Sequence, residues 1–159
     1  VMMVNVLSAQ VKTVFVDYRP LRAQLSNLSS IAGDVIRLPF RDASIVSLSC
    51  LHVIEHIGLG RYGDPLNPAG SHQAAVELQR VLRPGGRLFL SVPVGRERVC
   101  FNAHRVHAPR TIESFLPALG MESFSLVDDA RRFKENVSFE AADNLEYGCG
   151  MFEFVKARG

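Results

Sequence analysis

Between Ser44 and Val94 the chain reads SIVSLSCLHVIEHIGLGRYGDPLNPAGSHQAAVELQRVLRPGGRLFLSVPV, and no other stretch narrows the possible folds as far. The apolar run Ile45 to Cys50 enters an HVIEH turn. A helical pattern follows, with Ala74, Leu78, Val81 and Leu82 on one face, Ser71 as its expected cap and Pro84-Gly85-Gly86 as its stop. Arg87 to Val92 is a second apolar run closing on Pro93. Strand, helix and strand in this order form the second half of an α/β nucleotide-type domain, whose ligand edge lies at the carboxyl ends of the strands.

The flanking sequence continues that pattern. Lys12 to Asp17 (KTVFVD) is an apolar run ending in an acid, as expected for a strand covered on both faces. Ser30 to Asp34 is a short strand candidate, and the glycines and prolines between Gly58 and Gly70 describe a long irregular loop. Pro109 opens a helix with Ile112, Phe115, Leu116 and Leu119 inward, shortened by Pro117 and ended by Gly120. Glu122 to Val127 and Gly150 to Val155 read as a final antiparallel pair. The polar stretch between them is either a loop or carries a short helix.

Length and composition suit one domain spanning 1–159, since 159 residues at 47% apolar content bury a core without staples. A net charge of +2 creates no field that selects nucleic acid or an anionic membrane. The opening VMMVNVL is too short for a membrane span and has no basic leader, so it reads as core. Cys50, Cys100 and Cys149 form no CxxC pair; an odd count, with two of them inside apolar runs, suits reduced thiols and a cytoplasmic setting.

LRPGG before the last strand of the segment, with LHVIEHIGLGRYGDPLNPAG and VPVGRERVCFNAHR around it, resembles the class I S-adenosylmethionine (SAM) dependent methyltransferases. The longer runs look like a little-characterised branch of that superfamily, a domain of unknown function associated with cell-surface polysaccharide genes. The resemblance implies a Rossmann-like, mostly parallel sheet in an α/β/α sandwich with an antiparallel C-terminal strand, and SAM as cofactor. Enzymes of this class open with a strand and a glycine-rich turn that lets the cofactor approach the backbone. Only VMMVNVLSAQ precedes the KTVFVD strand here, too short for a crossover between parallel strands. The expectation is therefore a chain that begins after the first strand, with residues 1–10 as a remnant or replacement of the first helix, and with weak SAM affinity.

Site residues follow from position and from the resemblance. Asp17, at a strand end, can accept hydrogen bonds from two ribose hydroxyls; Asp34 and Val35 match the adenine contacts, and Leu51 and His52 would flank the methionine or sulfonium part. The string His52-Val-Ile-Glu55-His56 is an inverted zinc-peptidase motif, but it follows a strand directly and lacks the helix that would aim both rings at one ion. A second metal reading takes His52, Glu55, His56 and His104 in imitation of the small-RNA 3′-end methyltransferases. Without metal, Glu55 and His56 either brace the loop or serve catalysis, His56 or His104 acting as general base.

The run from Gly95 to Arg110 sets Arg96, Arg98 and Arg105 against a single acid, Glu97. With Arg61 and the inward polar contact expected of Asn102, it suits an anionic acceptor such as a phosphorylated sugar or sugar nucleotide. The sequence thus points to O- or N-methyl transfer to a small molecule, the alternative being a non-catalytic binding or assembly protein that keeps the fold.

Overall fold

The computed structural model describes residues 2–22 and 25–158. Val1, part of the expected first-helix remnant, lies outside the described residues. The chain divides between Pro39 and Phe40 into two compact units.

In the first unit, helix α1 (Met2–Ser8) precedes strands β1 (Thr13–Asp17) and β2 (Leu28–Ala32). The two strands pair in parallel from Thr13 opposite Leu28 to Asp17 opposite Ala32. KTVFVD is therefore a strand as its apolar run implies. The second strand starts two residues earlier than SIAGD suggests, because Gly33 and Asp34 belong to the turn that follows. Gly33 packs against its own unit there: a Cβ at this position would meet Val16 Cγ1 at 2.6 Å.

The second unit is built on a five-stranded mixed sheet. Its strands are β3 (Ile45–Leu51), β4 (Leu82–Val94), β7 (Leu119–Val127), β8 (Phe133–Lys134) and β9 (Gly148–Lys156), in the order β3-β4-β9-β7-β8. β3 and β4 are parallel, while β9 runs antiparallel to both β4 and β7. Helix α2 (Gly70–Val81) makes the crossover from β3 to β4, and helix α3 (Pro109–Ser114) leads towards β7. Strands β5 (Arg98–Val99) and β6 (Arg105–Val106) form a small hairpin between them.

Alternation along the strands explains where the core sits. Leu88, Leu90, Val92 and Val94 of β4 point to one face and are nearly inaccessible, as are Phe152 and Phe154 of β9 and Phe124 and Leu126 of β7. Phe124 and Phe152 meet at 4.7 Å between ring centres. Each such buried aromatic contributes on the order of 1.5–3 kcal/mol. Ala74, Leu78, Val81 and Leu82 are buried as their helical spacing implies. Ile112 and Leu116 are buried too, whereas Phe115 and Leu119 are only half-buried.

Three local readings are corrected. Ser71 is not the cap of α2: Ala69 occupies that position, and the Ser71 hydroxyl donates instead to the Ile54 carbonyl at 2.7 Å. The helix ends at Val81, before the Pro-Gly-Gly sequence, and the chain is already extended from Leu82, which pairs with Ile45 before an irregularity shifts the register. Gly120 lies inside β7 and does not terminate a helix; α3 has already ended at Ser114. The polar stretch before β9 holds β8 and a short 3₁₀ turn at Phe139–Ala142.

The irregular loop from Gly58 to Gly70 is held by its own side chains. Asp64 accepts hydrogen bonds from the backbone N–H groups of Gly58 (2.6 Å), Tyr62 (3.2 Å) and Gly60 (3.3 Å). Burial would raise its carboxyl, but these donors outweigh that and hold it below the usual carboxylate range. At Gly58, φ is +79° and a Cβ would lie 2.0 Å from the Asn67 carbonyl oxygen. Gly63 shares the left-handed conformation with φ +90° but faces open space. Gly58→Ala should therefore lower the unfolding free energy by about 3 kcal/mol or more, and Gly63→Ala by about 1 kcal/mol. Urea unfolding followed by circular dichroism measures both; equal losses would mean that steric closure at Gly58 is not what holds the loop.

Candidate functional site

The expected polar residues of the second unit gather where β3 and β4 end. β3 delivers Leu51 to its edge, and His52 follows with φ +53°, a left-handed conformation that turns the chain into a 3₁₀ turn at Ile54–His56. This turn buries Ile54 and Glu55 completely. His52 stays half-exposed and approaches two partners: its Nδ1 lies 3.1 Å from Glu55 Oε1, and its Nε2 lies 3.3 Å from Cys149 Sγ at the start of β9.

His56 extends the group. Its Nδ1 is 3.0 Å from the Ala103 carbonyl oxygen, which can only accept, so Nδ1 carries the proton and Nε2 holds the lone pair of the neutral ring. That Nε2 lies 3.8 Å from Glu55 Oε1. The His104 ring, delivered by the β5–β6 hairpin, stands edge-on to His56 at 6.1 Å between centres and 5.2 Å from the Tyr147 ring. Tyr62 packs edge-on against the His56 ring. Glu55, His56 and His104 thus cluster at the strand edge as expected. Among the described residues, Glu55 Oε2 and His104 Nε2 are buried without a hydrogen-bond partner.

Two of these rings differ in how firmly they hold a proton. The hydrogen bond to Cys149, and after it the one to Glu55, push His52 up to about 10 from its ordinary 6.5. Burial, reinforced by the neighbouring His56, lowers His104 and keeps it neutral at physiological pH. His107, further along the hairpin, is also lowered by burial, partly offset by Glu97.

For the metal reading, part of the donor set is taken up by protein partners: Glu55 Oε1 faces His52, His52 Nε2 faces Cys149, and His56 Nδ1 serves the Ala103 carbonyl. Among the described residues no three His, Cys, Asp or Glu side chains are placed to hold a metal ion together.

The arginines separate into two kinds. Arg105, expected at the acceptor, is instead buried; its guanidinium donates to the Ile57 carbonyl (2.6 Å), the Ser71 hydroxyl (3.2 Å) and the Asn67 carbonyl (3.3 Å). Its hydrogen-bond capacity closes the loop and not a ligand. Asn102, expected to face inward, is exposed at the hairpin turn with φ +49°, a conformation asparagine tolerates better than most residues. Arg61 is exposed and places Nη1 3.0 Å from the Ala103 carbonyl oxygen, the acceptor that also holds His56. Arg96 pairs with Glu146 at 3.5 Å, and Arg98 donates to the carbonyls of Arg96 and Glu146. A surface groove of about 280 Å³, lined by Arg61, Asn102 and Ala103 among others, runs beside them.

In the first unit, Asp17 ends β1 with an exposed carboxylate whose Oδ1 accepts the Arg19 N–H at 2.9 Å. Asp34 uses both oxygens, one for the Tyr18 hydroxyl at 2.6 Å and the other for the Ile36 N–H at 3.0 Å, and Val35 lies in the turn between. Sequence reasoning did not single out Cys149, Tyr62 or Tyr147. Only the Gly-Cys-Gly sequence at 148–150 signals Cys149, as a small, close-packed strand entrance.

The family described as "Caenorhabditis protein of unknown function, DUF268" matches residues 40–143, which lie wholly inside the second unit. This chain belongs to the DUF268 family. No curated protein matches its sequence. Among solved structures, the [4+2]-cyclase SpnF is similar with TM-score 0.59 and 15% identity over 84% of this chain and 57% of that one. The N-methyltransferase NodS from Bradyrhizobium japonicum, in complex with S-adenosyl-L-homocysteine, gives TM-score 0.58 and 18% identity over 90% and 65%. The phosphoethanolamine N-methyltransferase 2 of Haemonchus contortus gives TM-score 0.51 and 14% identity over 80% and 37%. This DUF268 chain therefore has the Rossmann-like α/β fold of the class I SAM-dependent methyltransferases, and spans 57% of the length of SpnF and 65% of that of NodS. No helix among its described residues is long and apolar enough to cross a membrane.

The raised His52 makes the stability of the fold depend on pH. Facing its ring are Glu55 from the turn and Cys149 from β9, and Glu55 in turn faces His56. A group raised on folding contributes stability that is fully present below its unfolded value of 6.5 and is lost as pH rises towards 10. His52→Asn, which keeps the left-handed backbone accessible, should cost about 1 kcal/mol at pH 6, and the difference from the unaltered chain should fade between pH 6.5 and 10. Urea titrations across that range would show it; a loss that does not change with pH contradicts the assignment.

Arg105→Leu should lower stability by about 2–3 kcal/mol, since it leaves the Ile57 and Asn67 carbonyls without their charged donor. A thermal melt unchanged by this substitution would remove Arg105 from the loop's support.

Proposed function

We propose that this chain is a SAM-dependent methyltransferase-like protein whose second unit presents the acceptor side, serving O- or N-methyl transfer to a small anionic acceptor. The observation that carries the reading is the pair His56 and His104, 6.1 Å apart over the buried Glu55, at the carboxyl edge of β3 in a methyltransferase fold. The cofactor, when bound, supplies an electrophilic methyl group on a sulfonium.

Each unit by itself holds residues of the kind that group needs. In the first, an exposed carboxylate at a strand end, Asp17, is the acceptor a ribose diol needs. In the second, Leu51 and His52 offer an apolar and a polar contact at the edge of β3. The carboxyl of Glu55, with one oxygen unpartnered, favours a cation nearby.

The histidines do the proton work in this reading. His56 has its tautomer fixed by the Ala103 carbonyl, so Nε2 is the atom that accepts a proton from an acceptor hydroxyl or ammonium, with Glu55 Oε1 at 3.8 Å to stabilise the resulting imidazolium. His104, neutral and close by, orients the acceptor through its ring nitrogen. Arg61 has guanidinium N–H groups beyond the Ala103 carbonyl that it shares with His56; Arg96 and Arg98 are further cations of the same surface. Together they suit a phosphate or carboxylate. A phosphorylated sugar or sugar nucleotide from cell-surface polysaccharide synthesis in the cytoplasm is the finer form of the proposal.

A non-catalytic binding or assembly role is the second reading. It is favoured by one observation: both Asp34 oxygens already serve local donors, leaving that carboxylate less available to an adenine amino group.

Amide NMR titration with S-adenosylhomocysteine, paired with radiolabelled methyl transfer to a panel of phosphorylated sugars, separates the two readings. The proposal expects saturable shifts at Leu51 and His52. It also expects a fall of about 10²–10⁴ in kcat for His56→Gln with KM little changed. No shift at millimolar ligand together with no transfer would leave the binding role.

A further inference from the structure

The start of β9 and the end of β3 bring together three residues that methyl transfer does not need as a set. Cys149 Sγ is 3.3 Å from His52 Nε2, and the opposite ring nitrogen, Nδ1, is 3.1 Å from Glu55 Oε1. Thiol, imidazole and carboxylate stand in line through the two nitrogens of one ring. This is the arrangement by which a base takes a nucleophile's proton while a third group fixes the base's tautomer and orientation.

The surroundings keep the line in place. Glu55 is 1% exposed, so its carboxyl does not swing out to solvent, and its Oε2 is buried without a partner among the described residues. His52 is held at φ +53°, a backbone conformation that a non-glycine residue adopts only when its neighbours fix it. Cys149 lies between Gly148 and Gly150, both close-packed: a Cβ at Gly148 would lie 2.7 Å from Leu145 Cδ1, and one at Gly150 would lie 2.5 Å from Val94 Cγ1. Cys149 is half-buried and not sealed, and His52 has 46% of its side chain exposed.

We propose that Cys149, His52 and Glu55 form a nucleophilic thiol site, with Cys149 attacking soft carbon electrophiles of the α,β-unsaturated carbonyl class. The reacting species is the thiolate beside the His52 imidazolium, whose Nε2 proton came from the thiol. The sulfur forms a bond to the β-carbon as the alkene pair moves to the carbonyl oxygen. His52 Nε2–H then returns its proton to the α-carbon, giving a thioether with no leaving group and no change in net charge.

The other two cysteines are internal controls. Cys50 is buried within β3 and its thiol is pushed up to about 12, first by burial and then by the Glu55 charge, so it is inert. Cys100 is partly exposed on the β5–β6 hairpin but has no histidine on its sulfur among the hydrogen bonds of the described residues.

N-ethylmaleimide at about pH 6, where a thiol without a base partner is almost wholly protonated, followed by peptide mass spectrometry, gives the rate at each cysteine in one unaltered chain. Cys149 should react at least about tenfold faster than Cys100. His52→Asn should bring the two rates together, and Glu55→Gln should fall between, each variant being accepted only with an unaltered circular dichroism spectrum. Equal rates at Cys149 and Cys100 in the unaltered chain would overturn the proposal with no variant needed. So would an unchanged Cys149 rate in folded His52→Asn.

Discussion

A single buried cation organises the second unit's functional edge. The Arg105 guanidinium takes oxygens from three places: the carbonyl just after the 3₁₀ turn, the carbonyl of Asn67 before α2, and the hydroxyl of Ser71 in its first turn. Burying a guanidinium is costly, and burial does lower Arg105, with Asp64 partly offsetting it. It is tolerated because the Ile57 and Asn67 carbonyls and the Ser71 hydroxyl accept the guanidinium N–H groups. Through Ile57 the contact fixes the turn that carries Glu55 and His56, and through β6 it fixes the hairpin that carries His104.

From that brace the polarity of the site follows. Glu55 is buried by the turn, so the rings around it are differentiated by what else they touch. His52 gains Cys149 and is raised, while His104 is lowered by burial first and then by His56, with Glu55 opposing. One imidazole that keeps its proton and one that stays neutral share the strand edge with His56 and form a graded arrangement. In the proposed function it would serve proton transfer to a polar acceptor and, on the Cys149 side, activation of a thiol.

Much of the scaffold was legible from apolar runs between stop signals. Ile45 to Cys50 and Arg87 to Val92 read as strands because their length and flanking turns leave no room for a helix, and the spacing of Ala74, Leu78 and Val81 fixes α2. The start of β4 did not follow, because Pro84-Gly85-Gly86 reads as a stop, whereas the extended backbone already begins at Leu82 and accommodates the glycines at a register shift. At the site, clustering of Glu55, His56 and His104 was legible from strand-end topology. The burial of Arg105 was not, since its partners are backbone oxygens 48 and 38 residues away and an arginine in a basic run looks solvated. Cys149 was equally hidden, its link to His52 spanning 97 residues and depending on β9 lying beside β4.

The central claim is that the strand edge holds histidines in different, fixed protonation states around one carboxyl group. Nitrogen-15 NMR of the five histidine rings across pH 5 to 10 tests it most directly. The account predicts a His52 ring that stays doubly protonated well above pH 7, a His56 ring with its proton on Nδ1 when neutral, and a His104 ring that is neutral at pH 7. A His52 ring titrating at the ordinary value near 6.5, with free exchange between tautomers at His56, would contradict it.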